Sequence, residues 1–179
     1  MPTVDDARPP ITPCCGVASA PPGKPLVLHG HGTRARMVLG CLAPETTPGF
    51  HGFRVRRYLC VLCGVTCTVA PLDVLPRKHF GAITIALALA MYGVLRETLA
   101  EIYDALNPSK TRGYAARGWR SVLRWTAIAS AMFPCVRPSP PEWPPHLVAE
   151  RAAQTLAAGV HDESMPITFR VAHGACHPP

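Results

Sequence analysis

Two cysteines on a short turn, Cys60 and Cys63, constrain the fold of this chain more than any other feature. Two residues separate them, and Gly64 follows. This is the pattern of a zinc knuckle, a hairpin tip whose two thiolates reach one tetrahedral ion. Segments 53–62 and 65–70 on either side predict strands, because apolar and basic residues alternate along the first of them. A closed structural zinc site needs four ligands, so two more must come from elsewhere in the chain.

The natural partner of this knuckle contains Cys15, which is followed by a glycine and precedes the first predicted strand. Two knuckles that share one ion make a zinc ribbon. The competing interpretation is that Cys60 and Cys63 are ordinary small apolar residues of a hairpin. Cys41 and Cys67 are expected to be packing thiols rather than ligands, because buried cysteine commonly packs as an apolar group.

The composition favours a globular protein of a reducing compartment. The chain has 179 residues, 48% of them apolar, which suffices for one domain or two small ones. Eight cysteines are too few for a disulfide scaffold of this length, and the first residues lack the pattern of a signal peptide, so we expect a cytoplasmic chain with reduced thiols. The longest apolar segment, 81–95, is too short to span a bilayer, which predicts no membrane partner.

Local patterns predict strands first and helices afterwards. Segment 26–40 predicts two short strands around a glycine turn. The apolar segment 81–95 is too long for a strand and predicts a buried helix. Thr98 and Glu101 have the spacing of a capping box at the start of a second helix, which ends at Asn107 before a proline. Two further helices are predicted, over 115–132 and 146–158.

Three stretches of the sequence are specific enough to compare with a known family. They are Pro13-Cys-Cys-Gly16, Arg56-Arg-Tyr-Leu-Cys-Val-Leu-Cys-Gly-Val-Thr66 and Leu75-Pro-Arg-Lys-His-Phe80. With the strand–turn at 29–36 and the helices that follow, they resemble small zinc-ribbon and helix-turn-helix proteins encoded on bacterial insertion elements, which are often labelled transposases. The resemblance covers about residues 12–137. It implies a DNA-binding protein with structural zinc and without the cutting domain.

The first knuckle departs from the pattern of that family, which is Cys-Pro-x-Cys-Gly. When Pro13 and Gly16 are aligned, the first cysteine of the family falls on Thr12, and Cys14 takes the variable position. The fourth ligand is then Cys14 or a histidine (His29 or His31), unless the site has been lost. The metal ligands predicted on this basis are Cys14, Cys15, Cys60 and Cys63.

Positive charge is concentrated in the middle of the chain. The formal net charge is +7, and segment 105–137 contains no acidic residue. On a helical wheel, Arg117, Arg120 and Arg124 share one face, which suits phosphate contacts or guanine edges in a major groove. The competing interpretation is a solvated helix face. The connection to the preceding helix is longer than the usual three or so residues of a helix-turn-helix, so the motif is a variant. The nucleic-acid contacts predicted from this helix are Arg117, Arg120 and Arg124. Contacts to the phosphate backbone of the DNA are predicted for Arg77, Lys78 and Arg112.

A second basic group lies on the predicted ribbon strands. It can hold a phosphate backbone or simply keep the sheet solvated, and we favour phosphate contact. RNA binding would favour exposed aromatic residues on one face of a sheet, whereas Phe53 and Tyr58 fall on opposite faces. The members of this group are Arg34, Arg36, Arg54, Arg56 and Arg57.

The acidic residues and remaining cysteines do not predict catalysis. A two-metal transposase needs three converging carboxylates in a mixed α/β domain. Glu97, Glu101 and Asp104 instead have the spacing of a solvated helix face. No motif makes a nucleophile of Cys135 or Cys176. We therefore expect no enzymatic activity and no small-molecule substrate.

These patterns predict an α+β protein in which a small antiparallel β zinc ribbon precedes a helical helix-turn-helix-like domain. The expected function is non-catalytic DNA binding by a protein related to mobile elements. The alternative is a zinc-ribbon module for protein interaction or RNA binding, or a degenerate remnant. The predicted divisions are a disordered tail (1–11), the zinc ribbon (12–72), the helical domain (76–134), a proline-rich linker (138–145) and a C-terminal helix with a weakly ordered tail (146–179).

Overall fold

The computed structural model describes residues 8–71, 73–109, 119–160, 162 and 164–176. It contains a three-stranded sheet followed by helices, which confirms the predicted α+β class. The chain divides into two compact units. The first consists of Met1–Met37 and Gly52–Pro71, and the second of Val38–His51 and Leu72–Pro179.

The sheet is antiparallel, with the strand order β1-β2-β3. β1 is Leu28–Gly40, β2 is Gly49–Cys60 and β3 is Thr66–Val69. Tyr58 of β2 lies opposite Cys67 of β3. The prediction of two short strands within 26–40 is wrong, because β1 is continuous. Gly32 adopts a φ of 78° inside it, a conformation that glycine accepts without ending the strand.

A small apolar cluster supports the first unit. Leu28, Tyr58 and Cys60 are fully buried, and Cys67 packs against them from β3. The guanidinium of Arg8 lies 5.8 Å from the centre of the Tyr58 ring. A core of this size buries little apolar surface, and units this small commonly rely on a metal or a disulfide.

The second unit is helical. Its first helix, α1 (Ala82–Gly93), is buried on nearly all sides, as the continuous apolar segment predicts. α2 (Leu99–Leu106) begins at the predicted capping box, in which Glu101 N–H donates to Thr98 Oγ1 and Thr98 N–H donates to the Glu101 carboxylate. The remaining helices are α3 (Arg120–Ala127), α4 (Ala129–Met132), α5 (Pro145–Ala157) and α6 (Ile167–Cys176).

Two glycines allow α1, α5 and α6 to pack closely. A Cβ on Gly93 would overlap the backbone of Glu150 in α5, and a Cβ on Gly174 of α6 would overlap the carbonyl oxygen of Leu156. The prediction that residues 159–179 are weakly ordered is therefore wrong for α6, whose Val171 is fully buried.

The helix predicted over 115–132 is only partly correct. The described part divides into α3 and α4 at Ile128, whose φ of −117° and ψ of 18° interrupt the helical geometry. Residues 115–118 lie outside the described residues, as does most of the α2–α3 connection, so the helix-turn-helix stays a prediction. Within the described part of the chain, no helix has the length and apolar character needed to cross a membrane.

Candidate metal centre

A tight turn around Thr12 presents Cys14 and Cys15. Thr12 N–H donates to Val17 O at 2.8 Å, and Gly16 N–H donates to Thr12 O at 2.9 Å. Val17 N–H in turn donates to Thr12 Oγ1 at 3.1 Å. Thr12 is fully buried, and Gly16 has a φ of 66°, which glycine adopts without steric cost.

The turn after β2 has the same backbone pattern. Cys60 N–H donates to Val65 O at 2.9 Å, and Gly64 N–H donates to Cys60 O at 2.9 Å. Gly64 has a φ of 73°. Cys60 is fully buried, whereas Cys63 is exposed at the tip. The two turns therefore share both of these backbone hydrogen bonds, with Thr12 at the position of Cys60.

The two turns bring four thiols together. The sulfur atoms of the group all lie within 4.8 Å of one another. Cys15 Sγ and Cys60 Sγ are 3.9 Å apart, and a tetrahedral ion with Zn–S bonds of 2.3 Å would hold its sulfurs about 3.8 Å apart. All are free thiols rather than disulfides. The cluster, which could hold one metal ion, consists of Cys14, Cys15, Cys60 and Cys63.

The alternatives for the fourth position differ in geometry. Cys14 belongs to the four-thiol cluster, although it occupies the turn position that Leu62 has in the second knuckle. The described residues that form the cluster include neither His29 nor His31. The Nε2 atom of His29 is instead within hydrogen-bond distance, 2.8 Å, of the Leu26 carbonyl oxygen.

The thiols of the cluster differ in acidity. Burial opposes ionisation of Cys60, but hydrogen bonds from the backbone N–H groups of Cys63 and Leu62 outweigh it and lower its pKa to about 7. Desolvation of the sulfur and a hydrogen bond with Cys63 raise the pKa of Cys14. The hydrogen bond with Cys63 and then desolvation raise the pKa of Cys15. Without a cation, Cys60 therefore ionises before Cys14 and Cys15, and its negative charge opposes ionisation of Cys15.

Cys41 and Cys67 lie outside this cluster. Cys67 packs against the buried residues of the first unit. Cys41 is buried in the second unit, where its N–H donates to Thr84 Oγ1 at 2.8 Å, and burial raises the pKa of its thiol. Both positions agree with their interpretation as packing thiols.

Comparison with protein-family models, curated proteins and solved structures finds no match for this chain. The resemblance to zinc-ribbon proteins of insertion elements therefore stays a prediction.

The described part of the basic helix has the expected orientation. Arg120 and Arg124 are exposed on α3. Trp119 precedes the helix and is buried, as are Val122 and Thr126 on the opposite face. The other predicted contacts on this segment, Arg112 and Arg117, lie outside the described residues.

Two residues that are predicted to contact the DNA phosphate backbone lie beside this helix. Arg77 and Lys78 line the same cleft as Arg124. Arg120 is not among the residues that line it. The sequence gives no sign of this proximity, because it depends on how the loop before α1 packs against α3.

The basic residues of the ribbon strands are unequally exposed. Arg34 of β1 and Arg54 of β2 are exposed, whereas Arg36, Arg56 and Arg57 are half-buried. Residues 29–35 of β1 are all exposed, so this stretch of the strand is accessible.

Two acidic residues of the second unit, Glu101 and Asp73, bond to the backbone at the starts of helices. Glu101 caps α2, and the hydrogen bonds from Thr98 lower its pKa. Asp73, which the sequence analysis did not single out, accepts from Ile83 N–H at 3.0 Å, and its carbonyl oxygen accepts from Ala82 N–H. Asp73 thus satisfies N–H groups in the first turn of α1. Burial raises its pKa, partly offset by the bond from Ile83.

Proposed function

We propose that this chain is a non-catalytic DNA-binding protein, related to mobile-element proteins, in which structural zinc orders the first unit. The observation that carries the proposal is the exposed basic face of α3 in a chain of net charge +7. Arg120 and Arg124 are one helical turn apart and lie opposite the buried Val122 and Thr126. Such a face meets phosphates or guanine edges without disturbing the core behind it.

Zinc is the metal that this donor set favours. Four thiolates at tetrahedral spacing select zinc or iron–sulfur chemistry over magnesium and calcium, which prefer oxygen. Two matching knuckles around one ion are the arrangement of a structural zinc site. The proposal places the chain in the cytoplasm, where thiols stay reduced.

DNA is favoured over RNA by the surface of the sheet. Sequence-specific RNA modules stack bases on exposed aromatic side chains. Tyr58 is 1% exposed and lies beneath Arg8, so it offers no stacking surface. The exposed strand residues include the basic Arg34 and Arg54, and Phe50 of β2 is the single exposed phenylalanine, tyrosine or tryptophan of the three strands, so no group of such side chains forms a stacking surface there.

A protein-interaction module is the second candidate, and one observation favours it. The two cysteine turns carry exposed apolar side chains, an arrangement typical of contact with another protein. These side chains are Ile11, Val17, Val61, Leu62 and Val65.

Zinc analysis followed by DNA titration tests the proposal. Protein purified without a chelating tag should carry about one zinc per chain. Its affinity for duplex DNA should fall steeply with salt, and Arg120→Gln with Arg124→Gln should reduce the slope of log K against log salt by about 0.9 for each phosphate that is no longer neutralised. Arg137→Gln, which removes an exposed charge outside α3, is the matched control. Salt-independent or absent DNA binding would overturn the proposal in favour of the protein-interaction module.

A further inference from the structure

A cleft of about 480 Å³ lies between the loop that precedes α1 and the exposed side of α3. Arg77 and Lys78 line it from the loop, and Arg124 lines it from the helix. His79 and Ser121 add polar groups on the two sides. A volume of this order suits a small ligand.

The charge of the cleft is of one sign. No acidic residue is among the described residues that line it. Arg77 and Arg124 are exposed, and neither forms a salt bridge within the described part of the chain. Guanidinium groups without a carboxylate partner are suited to an anion, and their planar geometry matches the oxygens of a phosphate.

Arg77 is held in an unusual backbone conformation. Its φ is 57°, in the left-handed region that residues other than glycine seldom adopt. Arg96 is comparable, with a φ of 61°, and its guanidinium donates to the carboxylate of Glu150 at 2.6 Å. Strained conformations cluster where a side chain must be placed for an interaction. Arg96 has such a partner, whereas the described residues provide no acidic partner for Arg77.

The loop is fixed just after Arg77, by contacts with β1 and with α3. Leu39 N–H donates to His79 O at 2.7 Å, and Gly81 N–H donates to Leu39 O at 3.2 Å. Phe80 then packs edge-on against Trp125, with ring centres 5.3 Å apart. These contacts hold the loop against α3, so the cationic groups are arranged before a ligand arrives.

We propose that this cleft binds a phosphate ester, with Arg77, Lys78 and Arg124 as the cationic groups. The inference rests on the proposed function, in which the ester is a phosphate of a DNA strand. A free nucleotide presents the same chemistry, and the two sources are separated by the test. Phe80 and Trp125 provide the apolar wall beside the phosphate position.

The test measures binding of two probes to the full zinc-loaded chain by fluorescence anisotropy and NMR. The probes are a duplex DNA with a 5′-phosphate and inorganic pyrophosphate. Pyrophosphate should shift the indole N–H signal of Trp125, which lines the cleft. Arg77→Gly removes the guanidinium and relieves the left-handed strain, so it should fold at least as well as the parent and bind each probe about tenfold more weakly. Arg124→Gln should weaken binding by a similar factor.

Arg96→Gly is the matched control. It also relieves a left-handed arginine, but Arg96 lies outside the cleft, so both affinities should stay unchanged. If DNA binds and Arg77→Gly has no effect, the cleft proposal is overturned and the proposed function stands. If pyrophosphate binds in the cleft but DNA does not bind, the cleft takes the phosphate groups of a small molecule rather than of DNA, and the proposed function fails. Failure of both probes overturns both.

Discussion

Thr12 occupies in the first cysteine turn the position that Cys60 occupies in the second. Each residue donates its N–H to the carbonyl of a valine five residues later and accepts from a glycine N–H four residues later. The Thr12 hydroxyl accepts a further bond from Val17 N–H, so the turn is closed without a cysteine there. The fourth thiol comes instead from Cys14, in the middle of the turn.

This equivalence predicts a rescue experiment. Cys14→Ser should remove one thiolate and weaken metal binding, because a closed structural site needs four ligands. Adding Thr12→Cys to that variant should restore binding, since it places a thiol where the second turn has Cys60. Cobalt substitution measures both effects, because the thiolate-to-cobalt absorption grows with the number of thiolates. Unchanged absorption in Cys14→Ser would show that Cys14 is not a ligand.

Cysteine replacements should separate ligands from packing thiols. Cys63→Ser should reduce the zinc content from about one per chain and destabilise the first unit, because metal binding is coupled to folding in such sites. Cys67 packs in the first unit but is not part of the cluster, so Cys67→Ala is the matched control. This variant should keep its zinc. Zinc content by mass spectrometry and thermal unfolding check both. Loss of zinc from the Cys67 variant alone would reassign the site.

The acidity of Cys60 predicts a pH dependence of the metal-free chain. Burial opposes ionisation, but the N–H groups of Cys63 and Leu62 lower the pKa to about 7, from an ordinary value of 9.0. A group whose pKa is lower when folded stabilises the fold above its unfolded pKa, and that contribution is lost as the pH falls through the folded pKa. The metal-free first unit should therefore gain stability between about pH 7 and 9.

Thiolate absorbance in the presence of a chelator and a reductant measures this titration. One thiol should ionise near pH 7, and Cys60→Ser should abolish that step. The raised pKa values of Cys14 and Cys15 place their ionisation above the ordinary thiol range. A first step near pH 9 in the parent chain would contradict the assignment.

The contact between α5 and α6 predicts a large effect at a glycine. Gly174→Ala would place a methyl group against the carbonyl oxygen of Leu156, and the helices would have to separate. We expect a loss of stability of about 1–3 kcal/mol, as for other overpacked sites. Gly159→Ala, which has open space around the added Cβ, should be nearly neutral. Denaturant unfolding compares the two, and equal stabilities would argue against the packing of α6.

Sequence patterns predicted what depends on neighbours along the chain. The capping box of Thr98 and Glu101 and the buried helix α1 are local, and the structure confirms them. The second knuckle is local too, with its cysteine spacing and Gly64. The pattern of the first knuckle left the fourth ligand open, because a choice between Cys14 and a histidine depends on where β1 carries the histidines.

The features that sequence reasoning missed depend on contacts between distant segments. The sequence predicts a weakly ordered tail after the C-terminal helix, but Gly174 in α6 permits close contact with α5. Gly32 suggests a turn, although pairing with β2 keeps β1 continuous. The shared cleft of Arg77 and Arg124 follows from aromatic packing of Phe80 against α3, which no local pattern reveals.

An ion held by both cysteine turns would cross-link distant parts of the chain. Cys15 and Cys60 are 45 residues apart, so an ion that joins them closes a loop of that length, which contains β1 and nearly all of β2. By the loop-entropy relation for disulfides, such a closure lowers the conformational entropy of the unfolded chain, which stabilises the fold by about 4 kcal/mol. A disulfide of that span would be reduced in a reducing compartment. A metal ion would persist there, but a chelator could remove it. The concentration of available metal would then determine the fraction of chains in which the first cysteine turn is bound to the second.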